Sequence, residues 1–260
     1  MKNLNSFIPD IPKTEDRACE DHGEYTSTNY IGSVWSNCPE CSAIAKAENE
    51  AKEKAEADAK EKERQARNWR IRIGSAAIPE RFQDRTLDTY IANNPGQEKA
   101  LAFSKDYAAQ FDEIREIGRC AIFVGKPGTG KTHLAVGIAL HIMKQNRSVL
   151  FTTVQRAIRS VKDTWAKGSE VSESQAIQTL AYADLLILDE VGVQFGSDFE
   201  KQILFDVLNE RYEKRKPCIL LSNIAPSELS GYLGERVADR LREDGGKLIA
   251  FDWESHRRMK

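Results

Sequence analysis

The sequence predicts an α/β domain built on a mostly parallel sheet covered by helices, preceded by a small metal-binding module and a charged linker helix. Three observations carry this reading. After Gly74, apolar β-branched runs alternate with helix-length amphipathic stretches; from Ala43 to Ile73 the chain is rich in Ala, Glu and Lys and holds neither Gly nor Pro; and before that lie three cysteines and a histidine at regular spacing. A chain of 260 residues has room for one full domain and a small appended one. Its 40 % apolar fraction is low for a single globule, yet 4 Trp, 7 Tyr and 10 Phe are too many for a disordered chain. The expected boundaries are therefore 1–42, 43–73 and 74–260.

Cys19, His22, Cys38 and Cys41 form C-x2-H-x15-C-x2-C, close to a zinc-ribbon spacing. Four N and S ligands suit a closed tetrahedral Zn²⁺ with no open position for catalysis. A segment this short has too little core to fold alone, so the metal would supply most of its stability. The other two cysteines, Cys120 and Cys218, lie inside apolar strands and read as small core residues.

Between Lys46 and Arg67 there are seven positive and seven negative side chains and no apolar residue larger than Ala. Such a helix has no face to bury and reads as a solvated spacer of roughly 40 Å at about 1.5 Å per residue. Glu48 with Lys52, Glu50 with Lys54, Glu56 with Lys60 and Asp58 with Lys62 stand four apart, acid first, the supporting orientation.

Strands are expected at Cys120–Val124, Ser148–Val154, Asp184–Leu188, Cys218–Ser222 and Lys247–Phe251, with helices such as His133–Met143 and Glu200–Tyr212 between them. Directly after the first strand comes Gly125-Lys126-Pro127-Gly128-Thr129-Gly130-Lys131-Thr132, a complete GxxxxGK[ST] opening a helix. Its glycines let backbone N–H groups turn in around a phosphate, Lys131 reaches the β and γ phosphates of ATP, and the Thr132 hydroxyl serves Mg²⁺. The strand Leu185–Leu188 runs into Asp189 and Glu190. Asp189 is placed to hold Mg²⁺ and Glu190 to polarise the attacking water, which points to hydrolysis. One strand further, Asn223 stands where a side chain would orient that water.

A net charge of -2 leaves no overall positive field for nucleic acid, so any such site is a local patch. No apolar run reaches a membrane span, and Met1 to Asp10 lacks a signal-peptide pattern, so a cytoplasmic protein is expected. Five cysteines, an odd number, argue for buried or metal-bound thiols there.

GKPGTGKTHLA at 125–135, LLILDEVGVQ at 185–194, LSN at 221–223, LGERVADRLR at 233–242 and FDWES at 251–255 resemble the AAA+ ATPases of the DnaC type, the bacterial and phage helicase loaders. The resemblance covers roughly Ile78 to Arg258. It implies that Asn223 is sensor 1, that Arg257 stands at sensor 2, and that Arg240, favoured over Arg236, is a finger reaching a neighbouring subunit's γ phosphate. It implies a replicative helicase hexamer as partner, homo-oligomers on ATP and DNA, and a single-stranded DNA site. For that site the candidates are Arg159, Lys162 and Trp165 on one helical face, and Phe199 in the loop after the acids. The cysteine module departs from the best-known loader of this type. Two other functions remain open: an IstB-type transposition regulator acting with a transposase, and a zinc adaptor in which nucleotide is structural.

Overall fold

The computed structural model describes residues 12–31, 34–192 and 198–255. They fall into two units, up to Asn68 and from Trp69 onward. The first unit holds an antiparallel sheet of β1 (Lys13–Cys19), β2 (Gly23–Ile31) and β3 (Val34–Trp35), followed by most of α1 (Pro39–Ser75). Helix α1 starts four residues before the expected Ala43, so that Cys41 lies in its first turn, and it ends two residues after Ile73. From Ser42 to Lys60 every residue is exposed, as a helix without an apolar stripe must be.

The ion pairs on this helix differ from those expected. Lys46 pairs with Glu50 at 3.8 Å and Arg64 with Glu61 at 2.7 Å, while the four acid-first pairs are not among its contacts. Exposed long side chains choose among several partners at a few tenths of a kcal/mol each, so spacing alone does not select one.

The second unit carries a five-stranded parallel sheet in the order β5-β6-β7-β4-β8. The strands are β4 (Ala121–Gly125), β5 (Val149–Thr153), β6 (Leu185–Val191), β7 (Cys218–Ser222) and β8 (Lys247–Phe251). Successive side chains of a strand point to opposite faces, and here both faces are covered. Ala121, Phe123, Leu185 and Ile187 pack with α2 (Pro95–Ala109) and α4 (Lys131–Lys144) into one core. Ile122, Val124, Leu186 and Leu188 pack with α5 (Val154–Lys162), α6 (Glu173–Tyr182) and α7 (Asp198–Glu213) into the other. Helix α3 (Phe111–Ile117) completes the first face, and α8 (Pro226–Leu233) and α9 (Glu235–Arg242) the second. Trp69 and Ile73, in the last turns of α1, belong to the first core.

The strand order puts β4, β6 and β7 side by side. Their C-terminal ends therefore deliver the phosphate loop, the acid pair and Asn223 to one edge of the sheet.

Candidate nucleotide and metal sites

The phosphate loop fills the turn from β4 to α4. Two of its glycines have no substitute: a Cβ on Gly125 would lie 2.2 Å from the Phe251 carbonyl oxygen, and Gly130, at φ +97°, would drive one to 2.8 Å from the Tyr90 ring. Lys126 and Pro127 form the exposed bend and Gly128 is half-buried, while Thr129 is buried and donates its hydroxyl to the Lys126 carbonyl at 2.8 Å. The Lys131 ammonium, itself buried, donates to the carbonyls of Gly125 and Lys126 at 2.6 and 3.0 Å. The loop's own carbonyls thus fix a positive charge inside the turn.

The Thr132 hydroxyl donates to Asp189 Oδ2 at 3.1 Å, joining the loop to the end of β6. Burial raises the Asp189 carboxyl above its ordinary value, against the Glu190 amide, the Thr132 hydroxyl and the Lys131 charge. The Glu190 amide donates to Asp189 Oδ1 at 2.8 Å. Glu190 itself takes φ +62°, where the β6–β7 register shifts between Leu188 and Val191. The buried Ser222 hydroxyl ties the two strand ends together by donating to Val191 O at 2.7 Å. Lys131, Thr132, Asp189, Glu190 and Asn223 line one cavity of about 690 Å³. A hydroxyl and a carboxylate in contact are the hard oxygen donors that Mg²⁺ takes, so this pair fits the ion.

Several lining residues were not legible in the sequence. Arg81 and Arg85 stand on the same cavity, contributed by the segment between α1 and α2. His133 anchors that segment: its Nε2 lies 2.9 Å from Thr86 O and 3.2 Å from Thr89 Oγ1, and its ring meets Tyr90 edge-on. Tyr90, whose hydroxyl burial pushes up to about 12, borders a smaller cavity of about 160 Å³ with Gln97 and Thr129. From the FDWES block, the Trp253 indole N–H donates to Thr129 O at 2.9 Å and so clamps the phosphate loop.

Arg240 is half-buried, donates to Asn209 Oδ1 and stacks over Tyr212 at 4.7 Å. Arg236 is exposed and has no side-chain partner among the described residues. Neither pairs with Glu235 or Asp239. Arg257 lies outside the described residues.

Of the four candidates for single-stranded DNA, the fold brings three together. Trp165 and Phe199 meet edge-on with ring centroids 4.7 Å apart, and both are exposed. Lys162 donates to Glu200 at 2.6 Å, beside Phe199, and the Trp165 indole donates to Glu173 at 2.7 Å. Arg159 is exposed on α5. The two acids offset part of the positive charge of this patch.

In the first unit, Cys19 ends β1, His22 stands in the turn before β2, Cys38 precedes α1 and Cys41 lies in its first turn. Their ligand atoms all lie within 4.8 Å of one another. Cys19 Sγ is 3.6 Å from His22 Nδ1 and 3.6 Å from Cys41 Sγ, and Cys41 Sγ is 3.3 Å from His22 Nδ1. A tetrahedral Zn²⁺ with bonds of about 2.0–2.3 Å has ligand–ligand edges of about 3.3–3.8 Å, so the donor set fits. Glu40 stands 3.5 Å from the outer His22 Nε2 and orients the imidazole.

Residues 57–242 match the family described as IstB-like ATP binding protein. The replicative helicase loader DnaC of Buchnera aphidicola subsp. Acyrthosiphon pisum (strain APS) is 35 % identical over 186 residues, 71 % of this chain and 74 % of that protein. The replicative helicase loader DnaC of Escherichia coli (strain K12) is 37 % identical over 177 residues, 67 % of this chain and 70 % of that protein. A crystal structure of the DnaC helicase loader superposes with a TM-score of 0.60 at 27 % identity, over 66 % of this chain and 99 % of that one. The Cys/His cluster lies before the span matched by the family.

Proposed function

The chain belongs to the family of IstB-like ATP-binding proteins and is a P-loop AAA+ ATPase, and from that premise we propose that it loads a replicative DNA helicase onto single-stranded DNA. The observation that carries this reading is the likeness, over about two thirds of the chain, to relatives named replicative helicase loaders. The same names support it over a transposition regulator acting with a transposase.

In this reading Lys131 and the loop amides receive the β and γ phosphates, and Thr132 with Asp189 holds Mg²⁺, which when bound neutralises phosphate charge. Glu190 polarises the attacking water, Asn223 orients it, and Arg81 and Arg85 add positive charge on the same cavity wall. Arg240 acts in trans on a neighbouring subunit's ATP. Its present partners, an amide and an aromatic ring, hold it without neutralising it, so it can be released at little electrostatic cost. Arg159 and the Trp165–Phe199 pair supply charge and stacking for single-stranded DNA, with Lys162 and its Glu200 partner beside them. Arg257 serves at sensor 2. The Zn²⁺ module on Cys19, His22, Cys38 and Cys41 grips the helicase.

The test is capture of a purified replicative helicase hexamer by the full chain with ATP and single-stranded DNA. Stable capture, together with transfer of the hexamer to DNA that cannot be entered from an end, is expected. Binding of a transposase with no helicase capture would overturn the proposal.

A further inference from the structure

Arg211, on α7, is the largest fully buried side chain among the described residues, at 0 % exposure. Among the described residues no carboxylate pairs with it. Its Nη1 donates to the carbonyls of Ala183 and Ala181 at 2.8 and 3.0 Å, and its Nη2 to Pro217 O at 2.7 Å. Its Nε donates to the sulfur of Cys218 at 3.2 Å. A buried guanidinium surrounded by dipoles stabilises a negative charge wherever one can form, and Cys218 is the one contact that can carry it.

Cys218 has a second thiol beside it. The register Ala121↔Ile219 between β4 and β7 sets Cys120 directly opposite Cys218, and the Cys218 amide donates to Cys120 Sγ at 3.3 Å. Facing positions on neighbouring strands stand about 4.8 Å apart, inside the Cα span of about 4.4–6.8 Å that a disulfide bridges. Cys218 is buried and Cys120 half-buried. Both line a cavity of about 20 Å³ with Tyr212 and Arg240, room for a molecule of water size.

We propose that Cys120 and Cys218 form a redox-active pair that takes hydrogen peroxide as oxidant and closes to a disulfide, with Arg211 as the cation that activates Cys218. The neighbouring Cys120 thiol and the Arg211 guanidinium draw the Cys218 thiol below its ordinary value against the effect of burial, while the neighbouring Cys218 and burial push Cys120 above its own. The Arg211 guanidinium touches the Cys218 sulfur and makes no hydrogen bond to Cys120, so Cys218 is the attacking sulfur and Cys120 the resolving one. The Cys218 thiolate attacks one peroxide oxygen; the S–O bond forms, the O–O bond breaks, and the departing hydroxide takes a proton and leaves as water. Cys120 then attacks the sulfenic sulfur; the S–S bond forms, the S–O bond breaks, and the hydroxyl leaves with the Cys120 proton as a second water. Two thiols are oxidised to one disulfide as one peroxide is reduced to two waters.

The experiment uses the full chain saturated with Zn²⁺ and treated with a slight excess of hydrogen peroxide. Non-reducing peptide mapping is expected to show a linked Cys120–Cys218 species lacking two hydrogen atoms, with loss of two of the five thiols and recovery on adding dithiothreitol. In Cys120→Ser the link is lost and a sulfenic-acid trap labels Cys218; in Cys218→Ser peroxide leaves Cys120 as a thiol. Wild type that stays folded by circular dichroism and keeps both thiols would overturn the proposal. So would Cys120 reacting equally fast in Cys218→Ser.

Discussion

Glu190 holds φ +62° at the end of a buried strand, a conformation that costs a residue with a Cβ about 1–2 kcal/mol. The kink separates the two neighbouring acids: Asp189 keeps its carboxylate on Thr132, and Glu190 stands exposed on the cavity shared with Asn223. The pair was legible as a dipeptide, but the backbone that divides its labour was not, because it arises from the register shift against β7. Glu190→Gln is expected to bind ATP as wild type does and to lose turnover by about 10²–10⁴-fold, the range for removing a general base. Glu190→Gly should lose the same turnover without lowering the unfolding temperature, since glycine adopts this φ freely. Lys131→Ala, by contrast, should lose ATP binding itself. Nucleotide titration and steady-state hydrolysis on the three variants separate these outcomes; normal turnover in Glu190→Gln would refute the assignment.

Elements that the sequence displays well are those whose signal is local. The strand–loop–helix around Lys131 and the strand into Asp189 are contiguous, and each carries its own pattern of glycines or apolar residues. Arg81, Arg85 and Tyr90 carry no such pattern: they come from the segment between α1 and α2, which meets the site through His133 and Gly130. Trp165 and Phe199 stand 34 positions apart in the sequence, and only the packing of α5 and α6 against α7 makes them one aromatic pair. His133 offers a test of this coupling between α4 and the segment before α2. Burial holds its imidazole below the ordinary value of 6.5, against the Thr86 carbonyl and Asp84, with Arg85 adding to the depression. The unfolded chain thus takes up the proton more readily, so the stabilisation is present above about pH 6.5 and is lost as pH falls through that value toward the lower folded one. Denaturant midpoints between pH 7.5 and pH 5.5 should fall for wild type and fall less for His133→Gln. Identical slopes in the two proteins would remove His133 from the account.

At the scale of the whole molecule the two units are stabilised by different means. The second buries two apolar cores, whereas among the described residues of the first only Cys38 and Ser27 are buried. A unit of that size without a core needs another source of free energy, and the four converged N and S ligands among its described residues offer one. Zn²⁺ binding requires deprotonated thiols and would enter directly into the folding free energy of this unit. The exposed stretch from Ser42 to Lys60 offers no apolar contact by which its loss could reach the ATPase core. Cys38→Ser, or a strong chelator, is therefore expected to unfold the first unit alone: its amides exchange with solvent within seconds, helicase capture falls at least about tenfold, and ATP binding and the main thermal transition stay where they were. Elemental analysis of the purified wild type should find one zinc per chain. A metal-free protein whose first unit still resists exchange would show that something other than zinc holds these four side chains together, and undiminished capture by Cys38→Ser would move the helicase contact elsewhere on the chain.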